Sequence, residues 1–204
     1  MLSSEKKAGF ILTAIAASEG TWVYFSLAGG QQRFWRYMGF SNPWGAGAFG
    51  WVLALLCTAF FVWSAMRLPS VRKHLIRLSW LKVLGLAVAG SAGLCEEAIF
   101  RKWLMDLLMK HGWLLPLQIG ASALLFRLAH AVWGFFQGSL VTALRAMLAT
   151  SILGLMLALV YVASHRILAP CIVAHFVTNL LIEPGLVLAA VRGEMSGKTF
   201  AAAA

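Results

Sequence analysis

Residues 83–101 read VLGLAVAGSAGLCEEAIFR, thirteen positions without a charge followed by Glu96, Glu97 and Arg101. The apolar run extends on both sides to about 81–105, long enough to cross a hydrocarbon core that takes about 20 helical residues. An ionisable side chain near the middle of a membrane helix costs on the order of 2.5–3.5 kcal/mol on insertion scales. Two adjacent glutamates and an arginine at such a depth therefore demand partners or a function.

The rest of the chain has the same character. Of 204 residues, 61% are hydrophobic and only 12% charged, which is too apolar for a water-exposed globule of this size. Apolar helices are expected at about 8–29, 45–66, 81–105, 115–133, 139–163 and 167–191. The fold class is all-α, a polytopic integral membrane bundle of about six transmembrane helices. No repeat and no linker divides it, so residues 1–200 form one domain, with Ala201–Ala204 as an unstructured tail.

A net charge of +10 raises the possibility of nucleic acid, but the basic residues lie between apolar runs and form no stripe. Nine Trp and thirteen Phe fall in or beside those runs, as interfacial belts do, and nucleic acid is set aside as a partner. Arg67, Arg72, Lys73, Arg77 and Lys82 make the densest basic stretch. The positive-inside rule puts that loop and both termini in the cytoplasm, against the opposing pair Arg33 and Arg36, and a prokaryotic cell membrane is the expected location. The loop is also expected to meet anionic lipid headgroups. Ala14-Ile15-Ala16 after Lys6 and Lys7 resembles a signal-peptidase site, yet the apolar run resumes beyond Glu19 with Trp22 to Leu27. A retained first span interrupted by one acid is the preferred reading. Cys57, Cys95 and Cys171 all lie within apolar runs, where buried thiols are ordinary and a disulfide framework is not expected.

Glu97 and Arg101 are four apart, on one helical face, and read as a structural ion pair. Glu96, about 100° around the helix, points to a different neighbour. Phe126 and His130, and likewise His175 and Asn179, share the four-residue spacing. Convergence of these faces would place a carboxylate, two imidazoles and a carboxamide around a water-filled cavity, a set that hydrolysis can use. Singly, an intramembrane His or Asn is an ordinary interhelical hydrogen-bonding residue, and the combination carries the reading. Glu183, one turn past Asn179, is a further candidate for the same cavity, while Pro184 is expected to kink the helix. Arg127 and Arg145 are expected to snorkel, and His74, His111 and His165 to be solvated. Other peptidase chemistries lack their residues: no His precedes Glu as in HExxH, no GxSxG occurs, and Asp106 is the sole aspartate.

Glu96-Glu97-x-x-x-Arg101, Phe126-x-x-x-His130 and His175-x-x-x-Asn179, in that order, resemble the three motifs of the CAAX protease and bacteriocin-processing family of membrane peptidases. The resemblance covers about residues 81–182, including Pro170, and residues 1–80 add nothing to it. It implies an all-helical membrane fold and endopeptidase cleavage near the C-terminus of a membrane-anchored peptide or protein. Glu96 would be the general base that activates water, His130 its partner in positioning that water, and His175 with Asn179 the oxyanion site. Glu97, Arg101 and Phe126 would support them. The family is often called metalloprotease, and zinc, if present, would take Glu96, His130 and His175. A carboxylate does not easily serve as both ligand and free base, so no obligatory cofactor is expected. The rival functions are a non-catalytic bacteriocin-immunity or partner-binding membrane protein and a small proton-coupled transporter. Depth poses one conflict. His130 lies about 21 Å along its helix from Pro116, and His175 only about 12 Å from Ile167, although a shared site needs them level.

Overall fold

The computed structural model describes residues 2–134 and 140–196, so the tail at 201–204 lies outside the described residues. Six helices are long and apolar enough to cross a membrane, and no strand occurs among the described residues. The long elements are α1 (Ser4–Ala28), α3 (Gly47–Ala65), α5 (Trp80–Glu97), α7 (Leu115–Ala129), α8 (Leu140–Ala163) and α9 (Ala169–Arg192). Short helices α2 (Gln31–Tyr37), α4 (Pro69–His74) and α6 (Leu104–Lys110) lie between them. Local chemistry sets several ends. Ser3 and Ser79 accept main-chain N–H groups at the starts of α1 and α5, Pro116 and Pro170 open α7 and α9, and left-handed Gly193 closes α9.

The expected spans correspond to these helices with one main difference. The third does not stop near residue 105. After Glu97 the backbone widens into a π-helical segment, Ala98–Trp103, and runs on through α6 to Lys110. Ser122 on α7 donates to the Phe100 carbonyl inside that segment, 2.9 Å away, and so supports the wider turn. The connections between the spans hold α2 and α4.

Helices α5 and α9 form the centre, with α1 packed across both. Their backbones approach where side chains are absent. A Cβ on Gly93 would stand 3.3 Å from the Ile172 carbonyl, and one on Gly85 would meet the Pro184 ring at 2.5 Å. Ala8 and Leu12 of α1 are buried against Leu81, Val88, Val187 and Leu188. A larger core gathers Phe61 of α3, Phe126 of α7, and Leu157 and Tyr161 of α8.

Pro184 does not end α9, which continues to Arg192. A proline has no N–H for the carbonyl four residues earlier, here that of Leu180. Lys82 supplies the missing donor: its ammonium donates to Leu180, Leu181 and Leu75 carbonyls at 2.8, 3.0 and 2.9 Å. Lys82 is thus a buried internal cation and no part of an outward basic loop, which consists of exposed Arg67, Arg72, Lys73 and Arg77. His74, expected in solvent, is 4% exposed within α4. His111 and His165 are exposed. The Glu194 carboxylate ties α4 to the end of α9 by accepting from the Ser70 N–H at 3.0 Å and from its hydroxyl.

The depth conflict between His130 and His175 resolves in the turn before α9. Arg166 reaches the Gln118 carboxamide and Asp106, at 2.5 and 2.8 Å, which fixes these residues at one level. From Gln118, 12 helical residues to His130 rise about 18 Å. From Arg166, two residues to the cap Leu168 at up to about 3.3 Å each and seven of helix at about 1.5 Å cover nearly the same height. Neither helix starts where a simple correction would put it, because coil carries the difference.

Candidate active site

The three predicted motifs converge. Glu97 and Arg101 are fully buried, with 3.2 Å between Glu97 Oε2 and Arg101 Nε. The expected ion pair is present, and it has a third member. Glu97 Oε1 lies 2.7 Å from Nδ1 of His175, across from α5 to α9. Because Glu97 is held between Arg101 and the imidazole, it also fixes the ring.

His130, just past the end of α7, is anchored in the same way. Its Nδ1 lies 2.8 Å from the Phe126 carbonyl, which can only accept, so the proton is on Nδ1. Both rings are therefore tied through Nδ1–H and turn Nε2 the same way. Those Nε2 atoms stand 3.9 Å (His130) and 3.8 Å (His175) from one atom, Oε2 of Glu96. The side chains of Glu96 and His130 keep 17% and 18% exposure, while His175 keeps 2%.

Phe126 is the wedge that holds these pieces apart. It is fully buried, with the Arg101 guanidinium 4.4 Å from the ring centroid on α7 and the His130 and His175 rings at 4.4 and 6.0 Å. Such contacts fix a cation and two imidazoles at once, through cation–π attraction and edge packing.

Asn179 follows His175 by one turn of α9 and is 8% exposed. Its side chain, those of His130 and His175, and that of Glu183 face a cavity of about 300 Å³. Apolar walls come from Phe61 of α3, Leu68 at the start of α4 and Leu153 of α8. The mouth, at the end bearing the exposed basic loop, holds Glu194, Met195 and Arg145. Arg145, expected simply to snorkel, donates to the Met195 carbonyl at 2.7 Å.

Sequence reasoning missed Glu19. Read as an interruption of the first span, it accepts a hydrogen bond from Ser91 on α5 at 3.1 Å and lies within hydrogen-bonding reach of the Glu96 carboxyl. Its signal in the sequence was the insertion cost of an unpaired acid, which called for a partner on another helix.

The donor set stands slightly wider than a closed zinc site. Among the described residues no three His, Cys, Asp or Glu side chains gather closely enough to hold a metal ion. Ligands at about 2.0–2.2 Å from one tetrahedral ion stand about 3.3–3.6 Å from one another, against 3.8 and 3.9 Å between each imidazole Nε2 and Glu96 Oε2. No step below passes through a metal.

Fold and site together define a multi-pass helical membrane protein with a carboxylate and imidazole cluster sunk between its helices. The family described as type II CAAX prenyl endopeptidase Rce1-like matches residues 78–181, and the chain belongs to it. That match spans the three motifs, from α5 to most of α9, and leaves α1 with Glu19 outside. Among curated proteins and among solved structures, nothing matches the chain.

Proposed function

We propose that this chain is an intramembrane endopeptidase that hydrolyses a peptide bond near the C-terminus of a membrane-anchored peptide or protein. The observation that carries the reading is the approach of two imidazole Nε2 atoms, both tied behind through Nδ1, to the single oxygen Oε2 of Glu96. Gaps of 3.8 and 3.9 Å are too long for direct hydrogen bonds and suit a water held between the groups. Glu96 takes a proton from that water, and His130 orients it for attack on the scissile carbonyl. Asn179, one turn from His175, offers its carboxamide N–H to the oxygen that becomes negative, while His175, protonated at Nδ1, presents Nε2 as an acceptor to the water. Glu97, Arg101 and Phe126 hold both rings in place without touching the substrate.

The apolar cavity walls suit a lipid-anchored or hydrophobic chain end, in keeping with the prenyl endopeptidase family. With Arg67, Arg72, Lys73 and Arg77 exposed beside the mouth, the positive-inside rule places the mouth and both termini on the cytoplasmic side. Mass-spectrometric mapping of membrane-protein termini, in cells expressing either the native chain or Glu96→Ala, tests the reading. New termini are expected only with the native chain. Identical termini, with both proteins well expressed, would shift the function to non-catalytic partner binding.

A further inference from the structure

Glu183 sits at membrane depth with 8% exposure, and among the described residues it has neither hydrogen bond nor ion pair. It is not buried in packing, since its side chain lines the cavity that holds His130, His175 and Asn179. His175, Asn179 and Glu183 follow one another at four-residue steps and so form one stripe of α9. Helical side chains lean toward the N-terminus, which tips the Glu183 carboxyl back over Asn179 and away from the mouth. The charged groups that act on it are Glu96, His175 and Glu19. Lys82, the buried cation of α5 that reaches the Leu180 and Leu181 carbonyls, is committed to three carbonyls and is no counter-ion. Residue 183 also lies beyond the family match, which ends at 181.

Amide hydrolysis needs a proton at nitrogen as the C–N bond breaks, because an amide anion does not leave. In the site proposed above, Glu96 accepts a proton from water, and both Nδ1–H groups are held by Phe126 and Glu97. Neither imidazole has its anchored proton to give.

We infer that Glu183, in its acid form, is the catalytic group that protonates the leaving nitrogen. The water oxygen bonds to the carbonyl carbon and its proton passes to Glu96. The C–N bond then breaks, its electron pair stays on nitrogen, and nitrogen takes the proton of Glu183. Return of the Glu96 proton to Glu183 restores the starting charges. The inference rests on the peptidase reading, and leaving-group dependence separates the two.

Two internally quenched probes built on a farnesyl-cysteine peptide, identical except that the scissile amide is replaced by an ester in one, are offered to the purified full chain in detergent. An alkoxide leaves with far less help from an acid than an amine does. Glu183→Gln is expected to lower amide cleavage by about 10²-fold or more while ester cleavage stays within about threefold, and Glu183→Asp to recover part of the amide rate. Retained ester cleavage also shows that the variant is folded. Equal loss on both probes would make Glu183 structural, and no loss on either would remove it from the reaction; both overturn the inference. Glu96→Gln should lose both probes. Retention of both by Glu96→Gln, or a native chain that cleaves neither, overturns the peptidase reading and this inference with it.

Discussion

His175 turns Nδ1 to Glu97, 2.7 Å away, and is left with only Nε2 for the cavity. A buried carboxylate behind an imidazole fixes both tautomer and ring angle. Glu97→Gln keeps the volume and can present its amide nitrogen where the ring needs an acceptor. Turnover is expected to fall by about 10²-fold or more, because an imidazole held in the wrong tautomer loses the roughly 10²–10⁴-fold that a positioned acid–base group contributes. Initial rates on size-exclusion-purified variant protein check it. Unchanged turnover would return Glu97 to a purely structural role.

Arg101→Ala should act mainly on stability. The guanidinium is fully buried between Glu97 and the Phe126 ring, so its removal leaves a buried carboxylate without its cation. Breaking a buried pair in this way costs about 3–5 kcal/mol. Arg101→Lys is expected to rescue little, because an ammonium cannot lie flat on Phe126. Thermal unfolding in detergent reads both, and full rescue by lysine would show that charge alone matters.

Metal removal is expected to leave turnover unchanged, since a Glu96 that ligated zinc would not be free to take the proton of the water. Overnight dialysis against a strong chelator, followed by rate measurement with and without added zinc, checks it. Loss on chelation with recovery on zinc alone would assign Glu96, His130 and His175 as ligands.

Much of this architecture is legible in the sequence because bilayer-length apolar runs are a strong signal. The run expected at 45–66 is the helix Pro43–Ala65 with its 3-10 turn, and 139–163 is Leu140–Ala163. The motif faces are legible too, since four-residue spacing survives in any helix. Contacts made across helices are not. The four-residue spacing from Glu97 to Arg101 already accounts for Glu97, so nothing local points to His175. Lys82 sits among cations in the sequence, and its burial follows from carbonyls near Pro184 about a hundred positions away. The π-helical segment needs Ser122 of another helix, and Glu19 needs Ser91. Each of these depends on a partner that no window of sequence contains.

His74 gives the fold a pH dependence outside the spans. Burial, joined by the nearby Arg77 and Arg192 cations, pushes its imidazole below the ordinary value of 6.5. The unfolded chain then takes up the proton more readily than the folded one. Its contribution to stability is full above pH 6.5 and is lost as pH falls through the lower folded value. Unfolding temperatures measured from pH 7.5 to 5.5 should therefore drop less steeply for His74→Gln than for the native chain. Equal slopes would mean that His74 takes no part in the acid sensitivity.

Lys82 and Pro184 are expected to be coupled. Pro184 removes the N–H that would satisfy Leu180, and the Lys82 ammonium serves that carbonyl together with Leu181 and Leu75. Lys82→Met leaves these buried acceptors bare, and an unsatisfied buried group costs about 1–3 kcal/mol. In a Pro184→Ala background the helix regains its own donor to Leu180. The lysine substitution should then cost less, with a coupling energy on the order of 1 kcal/mol in a double-mutant cycle. Pro184→Ala alone also disturbs the contact with Gly85, but the cycle cancels that term, because it is present with either residue at 82. Strict additivity of the two substitutions would separate the lysine from the proline and leave its burial to the other two carbonyls.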